Sequence, residues 1–167
     1  MAISSVVKNF RDGTIKLADG TGTPIEVTVQ YENGDFSLSG SNYSSTGAVE
    51  HTKYLDRGEL ASVRKTNRSF PTGSFTAHLT DLSDGTEKTL WDAVNKTGAF
   101  ASAVSTLGAN ADLYCLDITL TISGTVLGDS ADHTLVLSDC RCSIDVAEGD
   151  PDSFTINFEV LGSIVAT

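Results

Sequence analysis

The sequence predicts a mainly β domain, an antiparallel sandwich or barrel-like subunit with one flanking α-helix and a long central loop. Three observations carry this reading. Apolar and polar residues alternate with period two in several stretches, one stretch alone has the apolar spacing of a helix, and residues 39–72 show neither pattern. At 167 residues and 17.6 kDa the chain has room for a single domain spanning 1–167. A chain of this size buries roughly 70% of its unfolded surface, so a core without disulfide or metal staples is expected.

The strands follow from the alternation. Ile25, Val27, Val29 and Tyr31 share one face, with Glu26, Thr28 and Gln30 opposite. The Glu32-Asn33-Gly34-Asp35 stretch then predicts a tight hairpin turn, because Asn and Gly tolerate positive φ, and Phe36 and Leu38 continue beyond it. Phe75, Ala77 and Leu79 alternate with Thr76, His78 and Thr80. In the last third Leu116, Ile118, Leu120 and Ile122 face one way and Asp117, Thr119, Thr121 and Ser123 the other. Cys140, Cys142, Ile144 and Val146 oppose Asp139, Arg141, Ser143 and Asp145, while Phe154, Ile156, Phe158 and Val160 oppose Thr155, Asn157 and Glu159. One apolar and one polar face predict an antiparallel sheet wetted on one side.

The helix is predicted over 86–97, with Leu90, Trp91 and Val94 forming its buried stripe, Asp84 or Thr86 as its cap and Gly98 as its stop. Residues 99–107 fit a second short helix or a strand equally. The 39–72 excursion is too long for an ordinary connection; it is either functional or contains an extra hairpin, to which Gly47–Leu55 would supply a strand.

Charge excludes some functions. The net charge of -11 disfavours a duplex-binding protein and adhesion to an anionic membrane. No stretch has the ~20 apolar residues of a spanning helix, and the first residues lack the pattern of a signal peptide. Three cysteines (Cys115, Cys140, Cys142) make a poor disulfide framework and fit folding in a reducing cytoplasm. Residues 97–167 hold ten acids and one base, Arg141, whereas five bases (Lys53, Arg57, Arg64, Lys65, Arg68) fall in the central excursion. Two readings remain open: a solubilising surface with an ordinary charged loop, or self-complementarity between a basic arm on one copy and an acidic surface on another.

No catalytic or metal constellation is expected, and no cofactor. Ser62-Val63-Arg64-Lys65 and Lys96-Thr97-Gly98 match two motifs of penicillin-binding enzymes. That chemistry needs the serine at a helix start and the second motif on a strand, and Lys96 is predicted to end a helix. The cysteines occupy apolar phases of their strands, so they read as core rather than zinc ligands. His51, His78 and His133 are scattered, and the acidic turn from Asp145 to Asp152 lacks the order of a calcium loop.

Taken together, the layout resembles the major tail tube protein of long-tailed bacteriophages. The resemblance rests on the strand Gly13–Asp19, the strand Ile25–Tyr31 with its Asn33-Gly34 turn, the long polar excursion and Phe70-Pro71-Thr72-Gly73-Ser74-Phe75 entering a strand. A single helix with Leu90-Trp91-Asp92-Ala93-Val94 and the closing strands ending Phe154–Leu161 complete it. Type VI secretion tube proteins are similar in architecture.

The resemblance implies a virion protein, made in the bacterial cytoplasm, that acts as a structural subunit and not as an enzyme. Six copies would close into a ring, and rings would stack into a hollow tube whose wall is a continuous sheet. The partners implied are further copies, the tape measure, tail terminator and distal tail proteins, and DNA passing without specific binding. The polar residues Asp117, Thr119, Thr121, Asp139, Asp145, Asn157 and Glu159 are expected to face the lumen, where acids would repel phosphates within about 8 Å. The excursion bases Lys53, Arg57, Arg64, Lys65 and Arg68 are expected at inter-ring contacts, with the termini also joining rings. Competing readings are another ring-forming virion component, such as a tail terminator or head decoration protein, and a β-sandwich carbohydrate-binding module. The second is disfavoured by an aromatic content of 7%, mostly in apolar phases.

Overall fold

The computed structural model describes residues 13–40, 49–124 and 131–167. The amino-terminal segment 1–12, the start of the excursion (41–48) and Asp129 lie outside the described residues. Among the described residues, ten strands and one α-helix follow one another: β1 (Gly13–Ala18), β2 (Glu26–Thr28), β3 (Ser37–Ser39), β4 (Val49–Asp56), β5 (Glu59–Arg68), β6 (Thr72–His78), α1 (Leu90–Asn95), β7 (Leu116–Ile122), β8 (His133–Ala147), β9 (Ser153–Val160) and β10 (Ile164–Ala166). The architecture is mainly β and antiparallel throughout, as the alternation predicts.

The main sheet runs β2-β1-β7-β8-β9-β6-β3, with β10 also on β8. Its two ends are consecutive in the chain, and this rolls the sheet into a barrel. Val29 N–H donates to Ile15 O (2.8 Å) on the β1 side, and two residues later Tyr31 O accepts from His78 N (3.1 Å) on the β6 side. Asn33 N–H then donates to Thr76 O (2.9 Å), and the carboxylate of Asp35 accepts from Thr76 N (2.8 Å). The tight hairpin expected at Asn33-Gly34 is therefore absent: β2 and β3 pair with β1 and β6, not with each other. Tyr31, expected on the apolar face, sits at φ 54° and is 67% exposed, because the chain turns there to cross the seam.

The interior holds the alternating residues of every main strand. Ile15, Leu17, Val27, Phe75, Ala77, Leu116, Ile118, Leu120, Leu137, Cys140, Phe154, Ile156, Phe158 and Val160 are all buried in one cluster. Phe36 stacks on Phe75 and Phe158 at the β3 end, and those two rings are tilted to each other, with all centroids 5.8–6.5 Å apart. Gly73 makes room for this: a Cβ there would collide with the Phe158 ring and Ser37 O.

Strand β8 changes phase midway. Leu135 and Leu137 point inward before Asp139, and Cys140, Cys142 and Ile144 after it. Ser138 and Asp139 together oppose the single Asp117 on β7, a bulge, and Asp139 has φ 56°. The first half of β8 pairs with β7 and β10, the second half with β9.

The helix is shorter than the 86–97 expected. It starts at Leu90 because Thr89 is its cap: the Thr89 hydroxyl accepts from Asp92 N (3.1 Å) and donates to Leu82 O (2.8 Å). Asp84 instead caps the preceding turn, accepting from Thr86 N and Glu87 N. Lys96, left-handed at φ 55°, ends the helix, and a 3-10 turn over Gly98–Phe100 follows. Trp91 lies 6.4 Å from the Phe154 ring, so the helix flanks the open side of the core. The excursion is not a loop over its described length: β4 and β5 form a separate two-stranded sheet.

Candidate functional site

The chemistry-bearing features are two surfaces rather than a pocket. The first is the β4–β5 arm. Its tip, Arg57-Gly58, has φ of 49° and 87°, the two positive values a tight hairpin turn requires. Among the described side chains of the arm, all are exposed except Ser62, which is half-buried.

 Across the ladder Lys53 pairs with Val63, Leu55 with Leu60 and His51 with Lys65, which places apolar and basic side chains on one face. Leu55 and Leu60 are 63% and 58% exposed, and Tyr54 on the other face is also exposed. Five bases stand against Glu50, Asp56 and Glu59 in the arm, while the whole chain carries -11.

The bases expected at inter-ring contacts divide in two. Lys53, Arg57, Arg64 and Lys65 extend from the arm and form no ion pair among the described residues. Arg68 folds back at the arm's base. Its guanidinium donates to Leu161 O (2.9 Å) and lies 4.9 Å over the Phe70 ring, fixing the arm to its own barrel.

The second surface is the outer face of β3, β6, β9 and the second half of β8. The register aligns Arg141, Glu159, Thr72 and Ser39 in one row, Ser143, Asn157, Ser74 and Ser37 in the next, and Asp145, Thr155 and Thr76 in a third. The first two rows line a shallow groove of about 510 Å³. The Asn157 amide donates to the Asp145 carboxylate (2.8 Å). Hydroxyls and amides dominate, with Asp145 and Glu159 against Arg141.

The structure brings Asp145, Asn157 and Glu159 together on this face, and it places the remaining lumen candidates elsewhere on the sheet. Thr119 and Thr121 lie opposite Val136 and Thr134, on the other side of the β8 bulge. Asp117 is half-buried and accepts from Asp139 N (3.0 Å), so both acids serve the bulge. Burial, with the nearby charge of Asp139, pushes the Asp117 carboxyl above its ordinary value despite that bond.

The thiols are built into the interior. Cys115 and Cys140 are buried and Cys142 is partly so, and all are unpaired. Burial raises each, Cys142 to about 12, so none is a ready thiolate. No cluster of three metal-ligating side chains occurs among the described residues. No helix among them is long and apolar enough to cross a membrane.

Sequence reasoning missed the hydroxyl row of β3 and the exposed apolar residues of the arm. The signal for the arm was present: Tyr54-Leu55 and Leu60 flank an Arg57-Gly58 turn, the arrangement of a hairpin. Strand β3 is too short to reveal a period.

No family model and no curated protein matches the chain. Solved structures do. The sheath/tube terminator of an extracellular contractile injection system, the PVC, in its extended state is similar with a TM-score of 0.55 at 12% identity, covering 100% of this chain and 97% of that one. The tube-terminating cap of the anti-feeding prophage gives 0.54 at 11%, covering 100% and 94%. A chain of the PVC sheath-tube complex in its extended state gives 0.52 at 12%, covering 92% and 87%. The chain thus shares, over nearly its full length, the fold of components of contractile injection systems.

Proposed function

We propose that the chain is a structural subunit of a tail-type tube, acting by assembly and not by catalysis. The observation that carries the reading is the arm. It exposes Tyr54, Leu55, Leu60 and Val63 to solvent, and Arg68 anchors its base to its own barrel. An isolated two-stranded ladder is marginal in water, so this surface is made for another molecule.

The hydroxyl-rich face supports ring closure. It is a four-stranded unit, β8-β9-β6-β3, with two edges open among the described residues: β3 on one side, and the second half of β8, beyond its pairing with β7, on the other. Four antiparallel strands end on opposite directions. A cyclic repeat can therefore join β3 of one copy to β8 of the next and keep the antiparallel alternation around a closed wall. Six copies would enclose the bore, the arm would reach the adjacent ring, and the face carrying Asp145, Asn157 and Glu159 would line the passage for DNA. The particle would be a virion tail or a phage-like injection device, with tube, terminator, tape measure, distal tail and sheath proteins as partners.

A second reading, a terminator that caps the tube, is favoured by the two neighbours so described, which cover the chain completely. Negative-stain microscopy of the purified chain over a concentration series separates the two. Long hollow tubes are expected; rings that never stack would establish the terminator, and monomers at every concentration would refute both.

A further inference from the structure

Strand β6 separates two ends of the barrel that differ in charge. The arm joins the sheet at Thr72, the start of β6. At the other end, about 20 Å away for seven extended residues, two turns meet: Tyr31–Asp35, bonded to β6 through His78 N and Thr76 N, and the β8–β9 turn, whose Asp152 O accepts from Leu79 N (2.9 Å). This far end carries Asp35, Asp81, Glu148, Asp150 and Asp152, all exposed, beside the half-buried Glu32. Lys88 stands with Asp81 and Glu87 around a small recess on that side.

Three further features mark the far end as unfinished. Tyr31 is 67% exposed although held at φ 54°, a strained conformation for a bulky residue. Val146, where β8 overshoots the core, is 51% exposed. Glu32 Oε2 is buried from solvent without a hydrogen-bond partner.

We infer that the far end, built from Tyr31, Glu32, Asp35, Val146, Glu148 and Asp150, is the docking surface for the arm of a second copy of this chain. This rests on the tube reading above and names the acceptor within it. The complementarity is double. Apolar Leu55, Leu60 and Val63 meet Tyr31 and Val146, while Lys53, Arg57 and Lys65 meet the acids, one base completing Glu32. Donor and acceptor lie at opposite ends of one barrel, so the contact is head-to-tail and repeats without closing, as stacking demands.

Charge exchange tests it. The variant Glu148→Lys/Asp150→Lys changes exposed turn residues and, with circular dichroism and melting as folding controls, is expected to yield rings or monomers, with a roughly tenfold loss of sedimentable tubes. The arm variant Lys53→Glu/Lys65→Glu is expected to behave alike. Combining all four changes in one chain restores opposite charge across the contact and is expected to restore tubes. Full tubes from the folded acid-end variant would overturn the assignment, the far end then serving some other protein, and so would a folded four-fold variant that stays unassembled. If the unvaried chain forms no tubes, the tube reading itself has failed.

Discussion

Asp92 shows how one side chain fixes the region after β6. It is fully buried in the helix, accepting from the hydroxyls of Ser83 and Thr97 (both 2.7 Å) and from Asp84 N (3.0 Å). Burial opposes its charge, but these bonds outweigh it and hold the carboxyl below its ordinary value. Gly98 completes the pocket, since a Cβ there would strike the Asp92 carboxylate. Because the folded form is the stronger acid, this stabilisation is complete above the ordinary carboxylate range of about 4 and is lost as pH falls below it. Replacing Asp92 with Ala leaves two hydroxyls and an N–H without partners and should cost about 3 kcal/mol, read as a lower urea midpoint at pH 7. Glu32 has the opposite sign. Burial, then repulsion from Asp35, raises its carboxyl, so its ionised form weakens the seam and stability is gained as pH falls through the raised value. Glu32→Gln should therefore stabilise the free subunit at pH 7 by about 0.5–1 kcal/mol and flatten that part of the pH profile; an unchanged or lower midpoint would contradict the cause given. Neither role was legible in the sequence. An acid's partners come from loops that only the fold brings together, and Asp92 looked like an ordinary polar position on a helix.

At the scale of elements, legibility follows how fully a strand is half-buried. Strand β9 alternates without exception, and Phe154, Ile156, Phe158 and Val160 all enter the core. Strand β8 was legible only after Asp139, because the bulge resets its phase and breaks the period that a sequence reading follows. The helix was overextended because Asp84 and Thr86 look like caps, whereas the hydroxyl of Thr89 reaches the helix N–H in fact. Over residues 50–68 the arm has no buried face, so no burial period exists there to be found; its bulges between Val49 and His51 and between Tyr54 and Leu55 obscure the rest. Its stability makes a prediction. With few contacts outside its own ladder, the arm should open far more easily than the barrel. Hydrogen exchange on the free subunit should show amides of residues 50–67 exchanging at least about a thousandfold faster than those of β7 and β9. Assembly should close that gap. Equal protection in the free subunit would mean that the arm is held by contacts the barrel makes with it.

For the whole molecule, the sequence conveyed an acidic chain with one-side-wet strands but not how the charge is distributed over the closed surface. The barrel closes through a seam of three residues, Tyr31 to Asn33, where the alternation predicts the end of a strand and the start of a hairpin turn. The bulge at Asp139 also turns the two halves of β8 toward different neighbours, so acids that share a phase in sequence do not share a surface. Asp117 and Asp139 hold the bulge, and the outer face of β8, β9, β6 and β3 keeps Asp145 and Glu159 as its acids. If that face lines the bore, phosphates sliding past would meet hydroxyls with a slight anionic bias, and repulsion would act only within about 8 Å of the wall. Asp145→Lys/Glu159→Lys makes the same wall cationic without touching the core, the bulge or the arm. Subunits should then assemble normally, while DNA that passes freely in the parent is retained, with retention relieved steeply by salt as counterion exchange requires. Tubes carrying the variant should be scored for length by microscopy and for DNA delivery in a complemented particle. Normal tubes with undiminished delivery would place this face away from the path of DNA, whatever the arm contributes to stacking.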